Sequence, residues 1–135
     1  MIKLICAHQQ IDPLFECVSM DEAVNYLSNQ SVIGVDTETE GKDFLSKKVV
    51  MFQIGTKDVQ YVIDTRYQGI EPLIPILENN DIVKIFHNIK FDYKFLKRWW
   101  NVDIKNPYDT MLAECVLNCG RSKVGYSLNV LTQRY

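Results

Sequence analysis

Cysteine is sparse and poorly spaced: Cys6, Cys17, Cys115 and Cys119 form no C-x-x-C pair, and the two nearest are four residues apart in a helix-like segment. Zinc requires tighter spacing and more ligands, so buried, reduced thiols are expected. A basic excess is also lacking. With 15 Lys and Arg against 17 Asp and Glu, the net charge of −2 excludes broad electrostatic adhesion to nucleic acid. Any nucleic acid must be held locally. No apolar run is long enough to span a bilayer, and residues 1–6 lack the length and small-residue cleavage site of a secretory leader. These absences lead to the expectation of a cytoplasmic chain with no membrane segment. Repeats, low-complexity tracts and Pro/Gly/Ser-rich linkers are missing as well, so the 135 residues read as one domain.

What is present is a strand-rich first half followed by alternating helices and strands. After a short possible strand at 1–6, Ser19-Met20-Asp21-Glu22 has the form of a capping box, which predicts a helix over 20–29. Short β-rich runs at 31–37, 48–55 and 60–64 predict an antiparallel meander. A helix over 70–79, a buried strand over 82–87 and a helix over 90–100 follow, and that crossover implies a parallel neighbour. Further helices are expected over 109–118 and 127–135, with Asp109 and Ser127 as caps. The fold class is therefore α/β: a mixed sheet, antiparallel meander plus parallel strand, flanked by helices.

Two places carry chemistry. In the first, the apolar run Val32-Ile33-Gly34-Val35 leads into Asp36-Thr37-Glu38. Residues two apart in an extended chain share a face and lie roughly 6.5–7 Å apart, so both carboxylates can reach one cation. Solvated acids at a strand end would look the same. In the second, Asn88-Ile89-Lys90-Phe91-Asp92 follows the buried strand. Asp92 shares a helix face with Phe95, Leu96 and Trp99, whereas Lys90, Lys94 and Lys97 share another. A buried carboxylate needs a cation, a donor or a proton; an ordinary first-turn acid is the alternative. Three acids from these two segments suit two-metal phosphodiester hydrolysis with Mg²⁺ or Mn²⁺.

Val35-Asp36-Thr37-Glu38-Thr39-Glu40 resembles the first motif of the DEDD-family 3′→5′ exonucleases of the DNA polymerase I proofreading type, and Asn88 to Asp92 resembles the second. Asp109-Thr110-Met111-Leu112 is similar to the helix that follows in those domains, and residues 128–135 to the next one. The resemblance implies a ribonuclease H-like fold. It gives Asp36 to both metals, Glu38 to the water-bearing metal and Asp92 to the second, with Thr37, Asn88 and Phe91 near the terminal nucleotide and Asp109 as a cap. The implied substrate is a single-stranded DNA 3′ end, and the implied partner is a polymerase module in the same polypeptide.

The family's third motif, Tyr-x-x-x-Asp or His-x-x-x-x-Asp after the last helix, is absent from these residues. The expectation is a C-terminally incomplete fragment of a longer protein, lacking the fourth carboxylate and weak or inactive alone. His87 to Asp92 fits the His-x-x-x-x-Asp spacing but lies too early in the chain and is read as coincidence. A ribonuclease D-like RNA exonuclease is the first alternative; Thr39 and the D-T-M-L run lean away from it. The second is a degenerate nucleic-acid-binding module using Lys90, Lys94, Lys97 and Arg98 with Trp99 and Trp100. A solvated helix face with two core aromatics is the bland reading of those residues.

Overall fold

The computed structural model describes residues 1–5, 15–121 and 125–135. In chain order the elements are β1 (Ile2–Ile5), β2 (Glu16–Val18), α1 (Met20–Leu27), β3 (Val32–Thr39), β4 (Val49–Gly55) and β5 (Gln60–Asp64). A 3₁₀ turn (Glu71–Leu73) then runs into α2 (Ile74–Leu77), followed by β6 (Val83–Phe86), α3 (Ile89–Trp100), β7 (Pro107–Asp109), α4 (Thr110–Leu117) and α5 (Leu128–Arg134). The strands form one seven-stranded sheet in the order β2-β1-β5-β4-β3-β6-β7. β3, β4 and β5 are the expected antiparallel meander, and β6 lies parallel to β3.

The pleat of β3 decides what each face carries. Ile33, Val35 and Thr37 point into the core while Asp36 and Glu38 are exposed on the other side. Phe52, Ile54, Ile63, Leu77, Phe86 and Leu96 extend that core, and Ala23 and Leu27 of α1 close it. On β6 the same alternation sends Lys84 inward, fully buried. Its Nζ donates to the carbonyls of Asn79 and Ile82, which satisfies the ammonium, and burial lowers its pKa.

Three sequence expectations change. Residues 70–79 form only short turns of helix, because Pro72 and Pro75 lack the N–H groups a longer helix needs. β2 and β7 were not foreseen; each has three residues, and β7 opens on Pro107, which fits only at a sheet edge. Cys119 is exposed and left-handed beyond the end of α4, Cys115 is half-buried, and Cys6 lies outside the described residues. α4 also turns Leu112, Val116 and Leu117 outward, while its Glu114 is buried against Asn118, Arg134 and Tyr135.

Gly55 ends β4 where the chain reverses into β5. A Cβ there would come within 2.7 Å of the Gln60 Cα, whereas one at Gly34 would meet nothing nearer than 3.9 Å. Gly55→Ala is therefore expected to cost about 1–3 kcal/mol in urea denaturation, and Gly34→Ala less than about 0.5 kcal/mol. Equal midpoints for the two variants would show that the hairpin relaxes freely.

Candidate active site

β3 supplies Asp36 and Glu38, and α3 supplies Asp92 in its first turn. Asp92 is only 3% exposed. Its Oδ1 accepts both the Thr37 backbone N–H, at 3.1 Å, and the Thr37 hydroxyl, at 2.6 Å. Burial raises the Asp92 carboxyl to about 6; the Thr37 hydroxyl opposes that rise and the charge of Asp36 adds to it. Asp36 is also raised, first by desolvation and then by Glu38, with His87 acting in the opposite direction. Asp36 is thus the shared neighbour of Glu38 and of Asp92.

Hard carboxylate oxygens suit a divalent cation, and here the charge of Glu38 acts on Asp36 and that of Asp36 on Asp92. Both Thr37 bonds fall on Oδ1 of Asp92. The acids meet as two pairs through Asp36, not as one triad: among the described residues no three His, Cys, Asp or Glu side chains stand close enough for one ion.

The residues expected near the nucleotide separate. Thr37 is buried and its hydroxyl serves Asp92. Asn88 and Phe91 line one groove with Lys42, Phe44, Lys90 and Lys94. Across that groove the loop between β3 and β4 meets α3: Lys94 lies over the Phe44 ring, and the Trp99 indole donates to the Lys47 carbonyl at 2.9 Å. Trp99 is therefore a tie between loop and helix, and Trp100 packs against the core.

Spacing alone undervalued His87, which lies beside Asp36 in a cleft with Gly34, Gln53, Ile85 and Thr110. Thr110 Oγ1 donates its single proton to the Phe86 carbonyl, so it accepts from His87 Nδ1, 2.9 Å away. The hydrogen-bond network thereby assigns the Nδ1–H tautomer and leaves Nε2 as the basic nitrogen of the neutral ring. The only sequence signal for this was that His87 immediately follows an inward-facing strand residue.

A mixed sheet with paired acids on an interior strand, and a buried acid heading the crossover helix, defines a ribonuclease H-like fold of the nuclease class. The family described as 3′–5′ exonuclease matches residues 12–135. DNA polymerase I of Aquifex aeolicus is 34% identical over 122 residues, covering 87% of this chain and 20% of that protein. Two solved structures share the fold. Escherichia coli RNase D, an exoribonuclease involved in structured RNA processing, has a TM-score of 0.73 at 18% identity, over 84% of this chain and 30% of that one. Brucella melitensis NrnC with bound Mg²⁺ has a TM-score of 0.71 at 20% identity, over 78% and 53%. The chain belongs to the 3′–5′ exonuclease family, and it spans about a fifth of the length of the polymerase it matches.

Because the Asp92 carboxyl binds its proton more tightly in the fold than the ordinary 3.8 allows, this group's penalty is absent below about pH 4 and complete above about pH 6. Ionisation then costs the metal-free protein on the order of 2–3 kcal/mol. Asp92→Asn keeps an Oδ1 acceptor for Thr37 and is expected to raise metal-free stability at pH 8 by about 1–3 kcal/mol. At pH 4 the two proteins should unfold alike. A variant less stable than the parent at pH 8 would contradict the buried-charge account.

Proposed function

We propose that this chain is a two-metal 3′→5′ exonuclease domain that removes nucleotides from single-stranded DNA 3′ ends, proofreading in the cytoplasm for a polymerase module in the same polypeptide. The observation that carries the reading is that Thr37, between Asp36 and Glu38 on β3, binds the buried Asp92, whose carboxyl feels the charge of Asp36. Mg²⁺ or Mn²⁺ bound by these acids supplies a water acidic enough to attack at neutral pH and a counter-charge for the leaving oxygen. Asp36 and Glu38 from β3 and Asp92 from the head of α3 would hold the ions, with the Thr37 bonds leaving Oδ2 of Asp92 for a cation.

The protein's other residues position the strand. Asn88 and Phe91 face the terminal nucleotide from the groove, and Lys42, Lys90 and Lys94 neutralise phosphates along it. With a net charge of −2, this local run of lysines gives the chain the attraction that its total charge does not. Resemblance to the Aquifex polymerase favours DNA. The RNase D fold match supports an RNA exonuclease as the second reading. With three of the family's four acids among these residues, the chain by itself is the weak form of the enzyme.

The polymerase-length protein carrying Asp36→Ala is expected to lose at least about 10³-fold in digestion of a 3′-labelled single strand while still folding and polymerising. Running DNA and RNA strands of one sequence side by side identifies the substrate, and faster RNA digestion would favour the second reading. Undiminished digestion of both would remove Asp36 from the mechanism.

Lys90→Ala with Lys94→Ala is expected to raise KM several-fold, leave kcat nearly unchanged and make log KM less steep in log salt by about one to two. An unchanged salt slope would place the strand elsewhere.

A further inference from the structure

α3 begins without a cap of its own. Asn88 stands at its N-cap in the left-handed region, φ 67° and ψ 51°, and its side chain makes no capping bond. The first N–H groups of a helix need acceptors, and here they come from a different element. The Asp109 carboxylate accepts from Asn88 N through Oδ1 and from Ile89 N through Oδ2, both at 3.0 Å. The same Oδ1 accepts from Met111 N at 2.9 Å and Leu112 N at 3.3 Å, which caps α4.

One carboxylate is therefore the N-terminal acceptor of two helices. Next to it, Thr110 binds the Phe86 carbonyl and the His87 ring. The Asp109-Thr110 pair thus grips residues 86–89, the stretch that carries the chain from β6 into α3. Asp92 sits three residues after Ile89, in that same first turn. Its Oδ1 must meet two donors fixed on β3, so the start of α3 has little freedom to slide.

We propose that Asp109 is a positioning residue: through the backbone of Asn88 and Ile89 it sets the height of Asp92 against Thr37 and Asp36. This goes beyond an N-cap on α4, because capping α4 requires neither Oδ2 nor any contact with α3. It rests on the metal-site reading for its consequence and on geometry alone for the positioning itself. Groups that orient metal ligands from outside commonly change metal affinity 10–100-fold.

Two substitutions separate the roles. Serine is a good N-cap that reaches Met111 and Leu112 but not α3, so Asp109→Ser keeps α4 and releases α3. Asp109→Asn keeps Oδ1 and loses only the bond to Ile89, and it serves if the serine variant does not fold. Ser19→Ala, which deletes the cap on α1 donated to by Glu22 N, controls for general loss of stability. In both Asp109 variants the Ile89 amide should exchange at least about tenfold faster and the Asp92 carboxyl ¹³C resonance should move. Mn²⁺ should bind about tenfold more weakly, and Ser19→Ala should change none of these. An unmoved Asp92 resonance with unchanged Ile89 protection would overturn the proposal whether or not Mn²⁺ binds. A moved resonance in a protein whose parent binds no Mn²⁺ would support the positioning role and sink the metal reading alone.

Discussion

A buried carboxylate holds this site together. Asp92 is removed from water at the head of α3, and what makes that tolerable is the pair of donors from Thr37 on β3. The bond is reciprocal in effect: it satisfies the acid, and it fixes α3 against β3 at the level where Asp36 and Glu38 emerge on the opposite pleat. Burial opposes its charge, and the cation of the proposed function would offset that penalty. The site is therefore built at the expense of stability, as pre-organised sites commonly are.

The rest of the architecture serves that juncture. β6 lies parallel to β3 and delivers the chain to the level of the acids; β7 lies parallel to β6 and returns Asp109 to the same level. Two neighbouring parallel strands end side by side, so the loops after them touch. That is why an acid 17 residues after Asp92 in sequence can hold the backbone just before it. Gly34 and Asp36 of β3 line one cleft with His87, Thr110 and Leu128.

Charge is arranged locally. The chain is slightly acidic, yet the loop after β3 and the exposed side of α3 bring Lys42, Lys90 and Lys94 to one groove, with Asp43 the acid among them. Lys48 and Arg98 flank the Trp99 ring, whose indole ties the loop to the helix.

The sequence alone determined the period-two run that presents Asp36 and Glu38 together, the apolar helix face that buries Asp92, and the antiparallel meander with its parallel neighbour. Each is a local pattern, written in residues a few positions apart. Family resemblance in short motifs carried the nuclease class. Tertiary structure decided the remainder, because it depends on contacts across tens of residues. Thr37 became the partner of Asp92, not an exposed neighbour of the site, since strand alternation turns it inward where α3 arrives. Asp109 gained a second helix because β7, too short and proline-led to be read as a strand, lies against β6. His87 acquired a defined tautomer only when Thr110 was brought under it. Residues 70–79 lost a regular helix to two prolines that the apolar pattern had outweighed. Pattern fixes which face a side chain takes; only the packed sheet fixes what stands opposite it.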